Sequence, residues 1–264
     1  MNLKGKTIWI TGASSGIGEA LAVLLASKGN NLILSARREA ELERVKEACI
    51  KAGGKAEILL LDLSKINDAE AICKQVFEKF SALDVLVNNG GISQRSAVHE
   101  TPMENHRMIM EINYYSAVAL TTEALKIFKK QGGGQIVGIS SIVGYFGFKL
   151  RCAYSASKHA LKGFLESLRL EETKNGIEVS VVYPGTIRTN ISQSALKKDG
   201  SSQGFEDSRH TGGMSPEQCA RKIVRGMEKN KAEILVGRKE LLLVYIKRFF
   251  PFLFYKLAVN IKAT

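Results

Sequence analysis

Short apolar runs of four to six residues alternate with helix-length amphipathic stretches along most of the 264-residue chain. That alternation narrows the fold more than any other feature. The runs are Thr7–Ile10, Asn31–Leu34, Ala56–Leu61, Leu83–Val87, Gln135–Ile139 and Glu178–Val182. Between them lie segments with helical period. In Glu39–Ala52 the residues Leu42, Val45, Ala48 and Cys49 share one face, and in Asp68–Phe80 the apolar face is Ala69, Ile72, Cys73, Val76 and Phe80. Strands that are apolar on both faces and spaced by helices require a parallel sheet covered on both sides. The expectation is one α/β domain over 1–264, a doubly wound parallel sheet of six to seven strands with helices on both faces.

A glycine cluster, Thr11-Gly12-Ala13-Ser14-Ser15-Gly16-Ile17-Gly18, follows the first strand and opens a helix running from about Ser15 to Ser27. Residues without Cβ permit a tight turn and a close approach of backbone to a pyrophosphate. The helix start then offers N–H groups and partial positive charge to the phosphates. Gly12, Ser14, Ser15, Gly16, Ile17 and Gly18 are therefore candidate dinucleotide contacts. The second strand ends Leu34-Ser35-Ala36-Arg37-Arg38 without an acid. A carboxylate there would accept from both ribose hydroxyls and repel a 2′-phosphate, whereas a guanidinium matches phosphate in a bidentate way. The cofactor expected is thus NADP, with Arg37 the favoured phosphate partner and Arg38 beside it; a solvated helix start is the alternative. Asp62, after the third strand, is either an acceptor for an adenine amino group or a turn aspartate.

These residues resemble those of the short-chain dehydrogenase/reductase family, in its compact one-domain branch, from about Lys6 to Arg188. Thr11-Gly12-x-x-x-Gly16-x-Gly18 is similar to the family's cofactor motif, and Asp62-Leu63 stands where the family places its adenine contact. Asn88-Asn89-Gly90-Gly91 resembles the Asn-Asn-Ala-Gly motif, with Gly90 in place of alanine, one methyl fewer and a looser loop. Asn113 falls in the following helix, Ser140-Ser141 ends the fifth strand, and Tyr154-x-x-x-Lys158 follows Ser141 by thirteen residues. Pro184-Gly185-Thr186-x-x-Thr189 resembles the motif below the nicotinamide. The resemblance implies a Rossmann-type sheet in the order 3-2-1-4-5-6-7. It implies cofactor contacts from Asn89, Gly91, Tyr154, Lys158, Pro184, Gly185, Thr186 and Thr189. Ser141 would hold the substrate oxygen, Tyr154 would be the proton donor, Lys158 would hold the nicotinamide ribose, and Asn113 would hold a water joining Lys158 to solvent. By the same analogy the chain is a homodimer or homotetramer.

Tyr154 and Lys158 share one helix face, one turn apart. An ammonium beside a phenol favours the phenolate and lowers its pKa, giving an acid/base group usable near neutral pH. The function expected is NADP(H)-dependent hydride transfer between nicotinamide and a carbonyl or secondary alcohol, on an apolar small-molecule substrate. The alternative is an NADPH-binding sensor or scaffold without turnover, which has no need of the phenol–ammonium pair.

Two stretches break the alternation. Residues 187–214 are rich in Ser, Gly, Gln and Lys with no apolar period, as in a substrate loop, and Ile92–Val98 is the expected opposite wall. The apolar, basic segment 239–264 carries Phe249, Phe250, Phe252, Phe254 and Tyr255 among cations. The last 50 residues hold 11 Lys/Arg against 4 Asp/Glu, over half of the chain's net +12. A membrane interface, a subunit contact and a cover over the chain's own pocket are all open for this segment. No nucleic-acid motif accompanies the positive charge, so nucleic acid is not an expected partner. Cys49, Cys73, Cys152 and Cys219 form no C-x-x-C pair, which suits reduced thiols and a cytoplasmic enzyme, with membrane association as the alternative placement. His99, His106, His159 and His210 are scattered and no metal set is expected.

Overall fold

The computed structural model describes residues 2–205, 207 and 212–261. Seven parallel strands form one sheet in the order β3-β2-β1-β4-β5-β6-β7. They are β1 (Thr7–Thr11), β2 (Asn31–Ala36), β3 (Lys55–Leu60), β4 (Val85–Asn88), β5 (Gly134–Ile139), β6 (Ile177–Pro184) and β7 (Glu233–Val236). The connecting helices are α1 (Gly16–Ala26), α2 (Glu39–Lys51), α3 (Ala69–Phe80), α4 (Met103–Met110), α5 (Ser116–Gln131), α6 (Cys152–Glu172) and α7 (Pro216–Glu228). The expected order is observed. The seventh strand, which no apolar run marked, is the four-residue Glu-Ile-Leu-Val at the edge.

Period-two alternation divides the core into two layers. Ile8, Ile10, Leu32, Leu34, Val85 and Val87 face α1, α2 and α7, where Leu21, Leu25, Val45 and Ile223 are fully buried. Trp9, Ile33, Leu86 and Ile136 face the other way, toward Val76 of α3, Leu120 and Phe128 of α5, and Leu161 and Leu165 of α6. Trp9 is wholly buried and its Nε1 donates to Ser35 Oγ at 2.9 Å, so its one polar atom has a partner across β1–β2.

Local chemistry sets the helix ends. Asp68 Oδ1 accepts from Ala71 N at 2.9 Å to open α3. Ser215 caps α7 ahead of Pro216 in its first turn. Gly132, at φ 80°, closes α5 in the left-handed conformation. The C-terminal segment, left without a secondary structure by the sequence, is a pair of short helices, α8 (Leu242–Phe249) and α9 (Pro251–Ala258), broken where Pro251 cannot continue α8. Among the described residues no helix is long and apolar enough to cross a membrane. Strand order reverses between β1 and β4, and the crevice above their C-terminal ends is where such sheets bind ligands.

Candidate active site

A cavity of about 520 Å³ lies in that crevice. The glycine turn forms its floor. Gly12 and Gly16 have φ of +64° and +61°, and a Cβ on Gly12 would stand 2.7 Å from the Cα of Gly90. A Cβ on Gly18 would lie 2.3 Å from Gly12 O and 2.5 Å from Asn89 Nδ2. The turn is stitched to the end of β4. Asn89 Nδ2 donates to Thr11 O and Gly12 O, both at 3.0 Å, and Thr11 Oγ1 accepts from the N–H groups of Asn89 and Gly90, both at 3.1 Å. Ser15 precedes α1 in extended backbone and its side chain makes no capping bond. The first-turn N–H groups of α1 are thus left to a ligand. Ser14, Ser15, Gly16 and Ile17 all line the cavity.

Arg37 and Arg38 line the same cavity at the end of β2. Arg38 Nη2 donates to Ser14 Oγ at 3.2 Å, and Arg37 lies close enough to Asp62 to act on its carboxyl. Asp62 is seen as a turn aspartate on the cavity wall, and its Oδ1 accepts from Ser64 N at 3.0 Å and Ser64 Oγ at 2.8 Å. Burial works to raise its pKa; the Ser64 bonds and nearby Arg37 and Lys65 outweigh it, and the carboxyl is lowered overall. Leu63 fills the space left by the missing methyl at Gly90: a Cβ there would meet Leu63 Cδ1 at 2.3 Å. The glycine therefore admits a leucine and does not loosen the loop.

Ser141, Tyr154, Lys158 and Asn113 meet at the inner end. Tyr154 and Lys158 sit in the first two turns of α6, and Ser141 follows β5. Ser141 Oγ lies 3.5 Å from Pro184 O and accepts from Val143 N at 3.4 Å, on the same cavity as Tyr154. Lys158 Nζ is buried, stands 5.8 Å from the centre of the Tyr154 ring, and donates to Ile139 O at 2.8 Å. The expected lowering of the phenol pKa is not what this arrangement gives. Burial pushes Tyr154 up, and the nearby Ser141 hydroxyl with the charges of Arg95 and Arg151 only partly opposes it. Burial acts on the ammonium instead and pushes Lys158 down to about 8.

Asn113 lies in a helical stretch, as expected, but in a single π-type turn, Glu111–Tyr115, between α4 and α5. The extra residue swings the side chain inward, as such turns do at functional sites. Its Oδ1 accepts from Ile92 N at 2.8 Å, and its Nδ2 donates to Ile92 O at 3.0 Å and Ser157 Oγ at 2.9 Å. Gly91 passes so close that a Cβ would stand 3.0 Å from Asn113 Oδ1 and 3.4 Å from Lys158 Nζ.

The far wall carries Pro184, Gly185, Thr186 and Thr189 on the cavity. Thr189 touches the space beside Gly16, where its Cγ2 would be 3.0 Å from an added Cβ. Glu240, which no motif marked, accepts from Thr186 N at 3.0 Å and pins this turn from the C-terminal segment. Ser192 and Ala195 in the irregular loop are fully buried, and Arg95 N donates to Leu196 O at 2.8 Å across to the opposite wall. A buried ion cluster was also missed. Asp207 Oδ2 pairs with Arg95 Nη2 at 2.5 Å and Arg151 Nη2 at 3.1 Å, while Gln203 Nε2 donates to Oδ1 at 2.8 Å. Arg95 lay within the wall expected from Ile92–Val98; Arg151, just ahead of α6, had no pattern to announce it. Among the histidines, His99, His106 and His159 stand off the cavity lining, and His210 lies outside the described residues. No group of three or more metal-ligating side chains occurs among the described residues.

The fit to a dinucleotide is direct: a cradle that added Cβ atoms would fill, a helix start with unclaimed N–H groups, and a reacting end with hydroxyl, phenol and ammonium in one cavity. The family model described as short chain dehydrogenase matches residues 6–200. The chain belongs to the short-chain dehydrogenase/reductase family. A Drosophila melanogaster dehydrogenase/reductase SDR family protein 7-like is 40% identical over 250 residues, 93% of this chain and 77% of that protein. Human dehydrogenase/reductase SDR family member 7 is 38% identical over 255 residues, 94% of this chain and 75% of its own. Among solved structures, a short-chain dehydrogenase/reductase from Burkholderia phymatum in complex with NAD superposes with TM-score 0.85 at 21% identity, covering 96% of both chains, a likeness of fold. An alcohol dehydrogenase from Thermococcus sibiricus complexed with 5-hydroxy-NADP gives TM-score 0.75 at 26% identity, covering 88% of this chain and 96% of that one. This short-chain dehydrogenase/reductase is thus an oxidoreductase built on a nicotinamide-binding fold.

Proposed function

We propose that the chain reduces the carbonyl of an apolar small molecule with NADPH. The observation that carries the reading is that Ser141, Tyr154 and Lys158 share one cavity with the glycine turn and with Arg37 and Arg38. Bound NADPH would supply the hydride to the carbonyl carbon. Ser141 Oγ, lining the same cavity as Tyr154, would hold the carbonyl oxygen. Burial keeps the phenol protonated at neutral pH, so Tyr154 Oη donates its proton to that oxygen as the alcohol forms. Lys158 carries the positive charge beside the phenol and would hold the ribose hydroxyls. Asn113 fixes the loop at Ile92 and the helix at Ser157 around it. Alcohol oxidation runs through the same groups in reverse.

The 2′-phosphate preference is supported by two guanidinium groups and no carboxylate at the end of β2. The apolar preference is supported by Ile142, Val143, Phe146, Phe148 and Leu243 on the cavity wall. A homodimer or homotetramer is part of the proposal by family analogy alone. Cytoplasmic placement is part of it because Cys49, Cys73, Cys152 and Cys219 are all free thiols.

The experiment is NADPH oxidation followed at 340 nm over a panel of apolar and polar carbonyls, with NADH and Tyr154→Phe in parallel. Turnover that prefers NADPH and falls about a hundredfold or more in the variant is expected. Equal turnover in Tyr154→Phe removes the phenol from the chemistry, and an NADH preference removes the reading of Arg37 and Arg38.

A further inference from the structure

We infer that the α8–α9 hairpin is a docking face for an anionic lipid surface, and that it sets the mouth of the cavity at that surface. Half of the exposed large apolar residues among those described fall within Leu242–Val259. Phe249 and Phe250 are each 64% exposed and Phe252 is 84% exposed. Elsewhere in the chain such residues are scattered singly, which needs no explanation; a contiguous patch does.

The hairpin is anchored on its other side. Val244 and Phe254 are buried against Ile142, Val143, Phe146 and Tyr154, and the Phe146 and Phe254 ring centres are 4.9 Å apart. Lys149 Nζ donates to Val259 O at 2.8 Å and holds the end of α9 against the loop before α6. Leu243, one residue from this anchor, lines the cavity itself. One element therefore carries the pocket wall on its inner face and the aromatic patch on its outer face.

The charge of the segment selects the occupant. Lys247, Arg248 and Lys256 lie between Leu241 and Ile261 with no acidic residue. Lys247 Nζ donates to Tyr255 Oη at 2.7 Å and stands 4.2 Å from that ring, so cation and aromatic are presented together. Aromatic rings at headgroup depth with cations on anionic lipid are the pattern of an interfacial helix. A second copy of the chain on this face would set the same cations against each other in a two-fold contact. An apolar substrate dissolved in the acyl layer would then reach the cavity past Leu243 without crossing water, which rests on the proposed apolar reductase; the docking itself does not.

The test is co-sedimentation of the 264-residue chain with phosphatidylglycerol vesicles and with phosphatidylcholine vesicles, without cofactor or substrate. The wild type is expected in the anionic pellet and to weaken with salt. Phe249→Ser with Phe252→Ser is expected to abolish the pelleting. Arg248→Gln with Lys256→Gln should lower the anionic partition coefficient roughly 25-fold, at about fivefold per surface cation. All four side chains are exposed, so circular dichroism and turnover of a water-soluble carbonyl should match the wild type. Wild type that stays in the supernatant overturns the inference, as does pelleting that both pairs of substitutions leave unchanged. So does a concentration-dependent oligomer in gel filtration that the serine pair dissolves, because the face is then a subunit contact. Because sedimentation requires no turnover, failure here leaves the reductase reading standing, and failure of the reductase assay leaves docking standing.

Discussion

Lys158→Met should give a more stable protein with no catalysis, and the gain should vanish with rising pH. The ammonium is buried, has no carboxylate partner among the described residues, and is held by Ile139 O at 2.8 Å. Burial moves its pKa from 10.5 to about 8. At about 1.4 kcal/mol per pH unit, keeping the charge inside opposes folding by about 3 kcal/mol at neutral pH. Methionine has nearly the same shape and no charge, but it leaves Ile139 O without its donor, which gives back about 1–2 kcal/mol. The net gain expected at pH 6.5 is about 1–2 kcal/mol, or roughly 2–8 °C in Tm for a chain of this size. In the wild type, below about pH 8 the lysine is charged in both states and the penalty is constant. Between about 8 and 10.5 the unfolded chain binds more protons than the folded one, so wild-type stability rises with pH over that window. The difference between the two proteins must therefore shrink from pH 7 to pH 10. Calorimetric melts of both proteins across that range isolate this one group, since all other titrations are shared. A variant that melts below the wild type at pH 6.5, or a gap that stays constant to pH 10, refutes the reasoning.

Gly18→Ala places its methyl 2.3 Å from Gly12 O and displaces the Asn89 amide that bonds this turn. Overpacking of about 1–3 kcal/mol and a lost bond of about 1 kcal/mol should weaken NADPH binding at least tenfold by fluorescence titration; an unchanged Kd would mean the cradle is not the dinucleotide site. Arg38→Met removes the guanidinium fixed on Ser14 and should raise the KM for NADPH about tenfold or more while leaving that for NADH within about twofold. Equal effects on both would place Arg38 in folding and not in phosphate recognition. Trp9→Phe deletes the 2.9 Å bond to Ser35 Oγ and part of the largest fully buried side chain among the described residues, and should lower stability by about 1–3 kcal/mol in urea melts with turnover retained. A loss of turnover at full stability would contradict that purely structural role.

The doubly wound sheet could be read from the chain because its strands are apolar on both faces and its helices on one. Six of the strands announced themselves in that way. The edge strand β7 did not, because an edge of four residues beginning at Glu233 has no need to be apolar throughout. The glycine turn and the Tyr154–Lys158 pair were legible because both depend on local spacing. The pKa consequence was not, because spacing shows which side chains are neighbours and says nothing of how deeply they are buried. Lys158 turns to Ile139 O, and desolvation then decides both pKa values. The Arg95–Asp207–Arg151 cluster and Glu240 beneath Thr186 join residues more than fifty positions apart, a separation at which no periodicity operates.

The π-type turn at Glu111–Tyr115 has a consequence for how this chain tolerates insertion and deletion. Each residue of a helix turns the chain by about 100° and advances it by about 1.5 Å. The one surplus residue in this turn therefore fixes the phase between α4 and α5. Removing any single residue there would relax the helix to its ordinary pitch without breaking its backbone ladder. It would also rotate Asn113 away from Ile92 and Ser157, or α4 away from its seat beside α6. A one-residue deletion in an otherwise continuous helix would thus leave a folded chain whose site is out of register, and the length of this segment is held as tightly as the identity of its asparagine.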